Sequence, residues 1–421
     1  MAGCVVSMAL ASGVSFWSFG LYVEPLEDEF GWSRAQVSFG FSSALLVSGL
    51  FAPLVGRWVD SRGPRSSILL GALLTALTYG LLATTSSLWQ WYLFQSINAI
   101  CRQFMFIIPF QALVSRWFDR KRGIALAMLG SGFSLGGFAV VPVMSMVISS
   151  VQWQGSFIVA GVVTAAVLLP VGLLVIRNSP EDVGARVDGE APVEGEPVTR
   201  QPVQGVTLGQ AMRSPLFWTL AAALTLFFYG MLGWLIHQVP FYESVGISRQ
   251  NAANIVAISA LLSIGMRLTI GAIADRFPRF EVVAMTLAGF LFCAMATLLI
   301  SPTPAGIAVF VLLWVVGAGA GPMMEALLLT RGFGLLHFAT IFGVIMIFET
   351  IGQILSPTIA GAIFDSTGAY DWALVMYMCT FAAAFVLFAI AWRLPRPIES
   401  LPVSASARPL QPAPASNPGR D

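Results

Sequence analysis

Long apolar runs alternate with short polar segments along the whole chain. Runs of about 20 mostly apolar residues, divided at clusters of Pro, Gly and charged residues, predict membrane-spanning helices. Twelve such runs cover residues 4–25, 35–57, 66–86, 89–115, 123–149, 155–176, 216–240, 251–274, 281–300, 305–328, 339–363 and 371–393. Transmembrane β-strands would be shorter and of alternating polarity, so the pattern favours helices. We expect an all-α integral membrane protein with twelve transmembrane helices.

Two longer polar stretches interrupt this pattern. The segment from Arg177 to Pro215 is rich in Pro, Gly and Glu and divides the runs six and six, and the residues after Arg393 are rich in Pro, Ser and Ala. These compositions are typical of flexible linkers and disordered tails. The expected organisation is a six-helix bundle at 1–177, a cytoplasmic linker at 178–213, a second six-helix bundle at 214–393 and a disordered cytoplasmic tail at 394–421.

The composition excludes a water-soluble domain. Of the 421 residues, 57% are hydrophobic and 10% are charged, whereas soluble domains carry about 25% charged residues. The near balance of charge, with a net value of +1, argues against a nucleic-acid partner. The four cysteines all lie in apolar runs without a C-x-x-C pair, so neither a disulfide framework nor a zinc site is expected. We also expect no cofactor.

The basic residues predict the orientation, because Arg and Lys concentrate in cytoplasmic loops. With the N-terminus inside, eighteen of the 22 basic residues lie on the cytoplasmic side, only Arg34 and Arg249 lie outside, and two lie within spans. We call the side with the eighteen residues the basic face. Its residues are Arg57, Arg62, Arg65, Arg116, Arg120, Lys121, Arg122, Arg177, Arg186, Arg200, Arg213, Arg276, Arg279, Arg331, Arg393, Arg396, Arg408 and Arg420.

The two halves of the chain repeat at an offset of 215 residues without gaps. The repeat aligns Pro25 with Pro240, Gly31 with Gly246, Ser33 with Ser248, Arg34 with Arg249, Gly56 with Gly271, Asp60 with Asp275, Arg116 with Arg331 and Pro142 with Pro357. It predicts two pseudo-symmetric six-helix bundles in the same orientation. Secondary transporters built from such parallel repeats bind their substrate between the halves near mid-membrane.

A charged motif follows the second run and has a partner in the second half. The segment contains Gly56, Asp60, Arg62, Gly63 and Arg65, and the partner contains Gly271, Asp275 and Arg276. The first copy resembles the loop 2–3 signature G-x-x-x-D-[RK]-x-G-x-[RK] of the major facilitator superfamily, with Ser61 where the family usually has a basic residue. The resemblance implies that both copies close a cytoplasmic gate through charge pairs and a helix-end interaction. A carboxylate also stabilises a helix N-terminus, and glycines let helix ends approach closely.

Two further stretches carry a narrower resemblance. Residues 117–125 (Trp-Phe-Asp-Arg-Lys-Arg-Gly-Ile-Ala) resemble the fifth-helix signature of monocarboxylate porters and of the bacterial oxalate:formate antiporter group. The segment from Thr207 to Trp218 is similar to the entry into helix 7 in that bacterial group. Ser263 stands where the animal porters have an Asp, and an uncharged residue near Trp17 replaces their first-helix Lys. Their proton mechanism is therefore not carried over to this chain.

Four charged residues within the spans break the repeat. Arg102 aligns with Gly317, Arg267 with Ala52, Glu349 with Ser134 and Glu325 with Phe110. A charge at the centre of a span costs about 2.5–3.5 kcal/mol on insertion scales, so such groups line a cavity or form pairs. We therefore take these four residues as candidates for function, and structural pairing between the halves as the alternative for each.

The four charges suggest distinct roles. Arg102 and Arg267 offer planar guanidinium groups that fit a carboxylate, and Arg267 matches the substrate-carboxylate Arg of the monocarboxylate family by resemblance. Glu349 stands where the resemblance places a basic residue in the oxalate antiporter, and suits a monoanion and a coupling proton. Glu325 follows a Gly-rich bending segment and is a second proton candidate. His237, at the outer end of the seventh span, is a third candidate because of its near-neutral titration, with a surface His as the alternative.

These observations favour a secondary transporter. We expect it to move a small organic acid, a monocarboxylate by resemblance, by alternating access across a bacterial inner membrane, coupled to protons or to a counter-anion. We expect a monomer with both termini in the cytoplasm, and the lipid bilayer, the organic anion and the proton as its partners. No G-x-x-x-x-G-K-[ST] motif is present, which argues against an ATP-driven pump, and we do not expect an enzyme.

Two alternatives remain open. An exporter of hydrophobic drugs or metabolites on the same fold is the first, because Gly130, Gly132, Gly136, Gly137 and Pro142 resemble the Gly/Pro-rich fifth helix of such exporters. A membrane receptor that binds its ligand without moving it is the second. Drug sensitivity of a deletion strain and counterflow in vesicles distinguish these alternatives.

Overall fold

The computed structural model describes residues 1–190 and 203–400; residues 191–202 of the expected linker and 401–421 of the expected tail lie outside the described residues. The helices of the N-terminal half are α1 (Ala2–Ser12), α2 (Val23–Phe30), α3 (Arg34–Arg62), α4 (Pro64–Ala83), α5 (Leu88–Gln103), α6 (Ile107–Trp117) and α7 (Arg122–Pro170). Those of the C-terminal half are α8 (Leu208–Arg213), α9 (Pro215–Ser244), α10 (Arg249–Ala274), α11 (Phe280–Ile300), α12 (Pro304–Ala318), α13 (Gly321–Phe333), α14 (Phe338–Thr367) and α15 (Asp371–Arg393).

These helices supply the twelve predicted spans. Within the described residues, ten helical stretches are long and apolar enough to cross a membrane, and the bent pair of residues 2–17 and 19–30 makes an eleventh. The stretch containing α7 counts as one but changes direction at Val151 and Gln152, where the backbone leaves helical geometry. At 1.5 Å per residue, the 49 residues of α7 would span roughly 74 Å, about two and a half times the roughly 30 Å thickness of a bilayer core. It therefore forms the fifth and sixth spans, and the predicted all-α fold is confirmed.

The repeat is visible in the local structure at the start of the second and eighth spans. Gly31 and Gly246 have φ angles of 67° and 87°, a left-handed backbone that favours glycine. Two residues later, Ser33 and Ser248 are the N-caps of α3 and α10, and their hydroxyls accept the N–H groups of the third helical residue. Equivalent residues therefore recur at these positions because each turn needs the same backbone and cap.

Two of the predicted spans are broken. The fourth span stops at Gln103 and resumes at Ile107, and the tenth stops at Ala318 and resumes at Gly321. The two stops are 215 residues apart, which is the offset of the repeat. Pro109 lies in the first turn of α6. N–H groups in a first turn have no acceptor within the helix, so a proline there costs no helical hydrogen bond. Broken helices in transporters place backbone groups beside a binding site.

Glycines bring the two halves into contact on the basic face. α3 packs along α14, and α7 packs along α10. A Cβ on Gly56 would lie 2.1 Å from the Ala339 carbonyl oxygen, and one on Gly271 would lie 2.8 Å from the Gly123 carbonyl oxygen. Since carbon and oxygen atoms do not approach that closely, neither contact tolerates a side chain.

The described parts of the expected linker and tail are folded against the halves. The Asp188 carboxylate accepts the N–H groups of Asp119, Arg120 and Lys121 at 3.1, 2.9 and 3.2 Å. In the tail, Arg396 forms a buried 2.8 Å ion pair with Glu281. We expected these segments to be flexible, but Asp188 and Arg396 bind to the two halves. The contacts form because each provides hydrogen-bond partners for polar groups. The boundaries at residues 178, 213 and 393 stay predictions.

Candidate functional site

A carboxylate of the N-terminal half binds the first turn of a helix in the C-terminal half. Asp60, near the end of α3, accepts the N–H groups of Ala339 and Thr340 at 3.1 and 2.8 Å, and the Thr340 hydroxyl at 2.6 Å. Both residues lie at the start of α14. The free N–H groups and the positive end of the helix dipole stabilise a negative charge there.

The partner motif makes the reciprocal contact. Asp275, directly after α10, accepts the N–H groups of Gly123 and Ile124, the second at 3.1 Å, in the first turn of α7. Burial raises the pKa of the Asp275 carboxyl, while these two N–H groups act in the opposite direction. Ile124 and Ala339 are equivalent in the repeat. The two halves are therefore joined on the basic face by two pseudo-symmetric helix-end contacts, and the structure is closed there.

Three further residues of the first copy, Arg62, Gly63 and Arg65, act within the N-terminal half. Arg65 donates to the carbonyl groups of Gly172 and Leu173 at 3.0 and 2.7 Å, and thereby ties the third span to the end of the sixth. Gly63 has a φ of 84°, and Arg62 stacks on its own helix neighbour Trp58, 3.8 Å from the ring centroid. The Arg276 side chain is exposed. In this conformation the two motif copies join the halves through the hydrogen bonds of their aspartates and the close packing of Gly56 and Gly271. The predicted gating role of the motif stays a prediction.

Arg267 lies where α7, α10 and the break in the tenth span meet. Its residue surface is 7% exposed. The guanidinium donates to the carbonyl groups of Gly319 at 3.0 Å and Gly130 at 2.6 Å, and to the Ser134 hydroxyl at 3.1 Å. None of the carboxylates in the part of the chain that the structure describes lies within 4.0 Å of it. Arg267 is thus a buried cation that joins the two halves through neutral acceptors only.

Ser134 also lies in a G-x-S-x-G spacing, from Gly132 to Gly136. In α/β-hydrolases that spacing marks a nucleophile on a sharp turn between a strand and a helix. Here all five residues lie inside the continuous first part of α7, so the spacing does not build that turn. Among the residues described, no group of three or more His, Cys, Asp or Glu side chains is arranged to hold a metal ion.

Arg102 lies in different surroundings. It is the last residue but one of α5 and lines a cavity with residues of the first, third, fourth and sixth spans. Its guanidinium carbon lies 5.8 Å from the ring centroid of Phe106. The Phe106 ring is 6.1 Å from that of Phe133, the residue before Ser134. These aromatic rings connect the surroundings of the two arginines, which share no contact residue among those described.

The two candidate glutamates face each other. Glu325, in the first turns of α13, and Glu349, in α14, are 7% and 2% exposed, and their carboxyl groups lie within hydrogen-bonding reach. A hydrogen bond between two carboxyl groups requires that one of them holds a proton. Oε1 of Glu349 has no hydrogen-bond partner among the described residues. In this structure the buried neighbour of the Glu349 carboxyl group is therefore a second acid.

His237 has two hydrogen-bond partners in the C-terminal half. Its Nε2 lies 2.9 Å from the Pro357 carbonyl oxygen and its Nδ1 lies 3.3 Å from the Tyr370 hydroxyl. Because a carbonyl oxygen only accepts, Nε2 carries the proton and Nδ1 accepts from the tyrosine. These bonds tie the seventh span to the eleventh, so His237 is a half-buried, bonded residue rather than a freely hydrated one.

Sequence reasoning missed the break in the fourth span and the Phe106–Phe133 contact. The residues around each of these two features have no distinctive composition in the sequence. The Gly-rich segment near Gly319 did indicate bending in the tenth span, and transferring that bend by the 215-residue offset places it at Phe104. The repeat itself was therefore a signal for the missed break.

Comparison with known proteins agrees with this architecture. A family model described as Major Facilitator Superfamily matches residues 5–333. Monocarboxylate transporter 13 of Bos taurus is 24% identical over 383 residues, covering 90% of this chain and 84% of that protein. The oxalate:formate antiporter of Oxalobacter formigenes is 23% identical over 281 residues, covering 67% of this chain and 64% of the antiporter.

Solved structures of transporters share the fold. The E. coli fucose:proton symporter superposes with a TM-score of 0.69 at 15% identity, covering 92% of this chain and 97% of that one. A proton:xylose symporter has a TM-score of 0.71 at 13% identity, covering 94% and 98%. The chain therefore belongs to the Major Facilitator Superfamily of multi-pass membrane transporters.

Proposed function

We propose that this transporter moves a small organic anion, a monocarboxylate, by alternating access between its two halves. The observation that carries the proposal is the Arg267 guanidinium, buried between the halves and bonded only to neutral acceptors. A buried cation without a counter-charge is unfavourable. A substrate carboxylate supplies that charge and accepts two parallel N–H bonds from the planar fork.

The same contacts suggest how binding is linked to movement. Arg267 on α10 donates to Gly130 and Ser134 on α7 across the boundary between the halves. Rocking of residues 1–177 against 214–393 breaks these bonds, together with the helix-end contacts of Asp60 and Asp275. A carboxylate bound at Arg267 replaces the lost acceptors, and so lowers the cost of the movement when substrate is present.

We propose further that the Glu325–Glu349 pair carries the coupling proton. Two buried carboxyl groups in contact do not both ionise, because like charges repel strongly in a medium of low dielectric. The pair therefore takes up or releases a proton as its surroundings change. Thr350, next to Glu349, packs against Gly49 of α3, so rearrangement between the halves alters those surroundings.

Uptake by purified protein in liposomes tests the transport proposal. With an acidic outside and a neutral lumen, we expect accumulation of ¹⁴C-labelled lactate, pyruvate or formate above the level of protein-free liposomes. Uptake into the lumen is expected because the anion moves together with a proton, and protons flow from the acidic outside to the neutral lumen. Failure to move any of these carboxylates, with transport of a lipophilic drug instead, contradicts the proposal and supports the exporter alternative.

Glu349→Gln separates coupling from substrate binding. For one proton per monoanion, each unit of pH gradient supports about tenfold accumulation. We expect the variant to lose this accumulation but to keep exchange of labelled for unlabelled carboxylate. Glu243→Gln, an exposed glutamate at the end of α9, is the matched control and should behave as the unmodified protein. Full accumulation in both Glu349→Gln and Glu325→Gln argues against the pair as the coupling site.

A further inference from the structure

A small cavity lies wholly within the N-terminal half. It is separate from the boundary between the halves where Arg267 lies. Its wall includes Ser15 and Tyr22 of the first span, Tyr79 of the third, Arg102 of the fourth and Phe157 of the sixth. Tyr22 and Phe157 stack at 4.3 Å between ring centroids. The cavity has room for about one water-sized particle, which excludes a larger organic acid in this conformation.

Arg102 brings an uncompensated positive charge to this cavity. Among the described residues, its guanidinium has no hydrogen-bond acceptor, and no carboxylate lies within 4.0 Å of its nitrogen atoms. Phe106, the aromatic ring recorded beside it, supplies only a weak interaction at 5.8 Å. A charge within a membrane span requires a partner or water.

Further hydrogen-bond donors surround the same space. Gln95 and Asn98 lie seven and four residues before Arg102, on the same side of α5, and both line the cavity. Asn98 is 2% exposed and donates from its amide to the Thr78 hydroxyl at 2.9 Å, which orients the amide. Tyr79 is 3% exposed and lines the same cavity as Arg102.

We propose that this cavity is a binding site for one small monovalent inorganic anion, of the size of chloride. The guanidinium supplies the charge, and the Tyr79 hydroxyl and the amides of Gln95 and Asn98 donate hydrogen bonds. The aromatic walls limit the size of the ligand. This site is distinct from the substrate site proposed at Arg267, and it does not depend on the identity of the transported acid.

Anion-dependent stability of the purified full-length protein tests this site. Sodium gluconate is replaced by sodium chloride at constant ionic strength, and thermal unfolding is followed by tryptophan fluorescence. We expect a saturable rise in Tm of roughly 2–4 °C with chloride. Arg102→Gln should abolish the rise, whereas Arg267→Gln, which removes the guanidinium at the boundary between the halves, should retain it.

Direct binding completes the test. Equilibrium dialysis with ³⁶Cl⁻ should give one bound anion per chain in Arg267→Gln and none in Arg102→Gln. If Arg102→Gln does not fold, Gln95→Met provides a second variant, with an expected loss of affinity of at least about fivefold for one hydrogen bond to a charged group. Absence of chloride binding to Arg267→Gln, or equal chloride binding in Arg102→Gln, overturns the proposal. If carboxylate uptake persists when the anion site is overturned, the proposed transport function still stands.

Discussion

Arg267→Gln is expected to lower carboxylate uptake by at least about 100-fold. The substitution removes the positive charge and one arm of the planar fork at the boundary between the halves. Two hydrogen bonds to a charged group together contribute about 3 kcal/mol or more, which corresponds to roughly 100-fold in binding. The glutamine amide is still able to donate to the carbonyl oxygen of Gly319 or Gly130, so we expect the variant to fold. Initial uptake rates in liposomes measure the effect.

Two matched variants identify the cause of that loss. Arg249→Gln lies on the same helix, α10, but at its exposed first residue, and should keep uptake within about twofold, as for surface substitutions. Arg267→Lys keeps the charge without the fork and should give an intermediate rate. Uptake by Arg267→Gln at the rate of Arg249→Gln would remove Arg267 from the substrate site.

Gly56→Ala is expected to open the basic face and to lower uptake at least about tenfold. The added Cβ would lie 2.1 Å from the Ala339 carbonyl oxygen. A backbone oxygen cannot relieve this contact by changing rotamer, as a side chain can. α3 and α14 must therefore separate, which breaks the bonds from Asp60 to the N–H groups of Ala339 and Thr340. A transporter that no longer closes on this face completes fewer cycles.

Hydrogen–deuterium exchange of residues 338–342 reports this opening without introducing a label. We expect at least about tenfold faster exchange in Gly56→Ala than in the unmodified protein, because the N–H groups lose their acceptor. Gly265→Ala is the control. Gly265 also lies within a long helix, α10, but a Cβ added there would meet no atom within 4 Å. Unchanged exchange in Gly56→Ala together with normal uptake would show that the close helix contact is not needed.

Local features of the fold were predictable from the residues that form them. The last span was expected at 371–393, and α15 covers Asp371–Arg393. The first span, expected at 4–25, continues to Phe30 through a bend of 40°. Apolar length predicted that a span exists, but the bend depends on the π-helical turn at Gly13–Trp17, where Ser12 and Trp17 both donate to the Phe133 carbonyl oxygen of another helix.

The sequence by itself determined the number of spans, their repeat at 215 residues, and which charges lie within the membrane. These properties depend on apolar length and on caps and turns formed by neighbouring residues. Only the tertiary structure decided that Glu325 meets Glu349, that Arg267 joins the halves and that Arg102 faces a separate cavity. The physical reason is that such contacts depend on how each helix is rotated and broken, and a single buried charge gives no sign of which distant helix it will face.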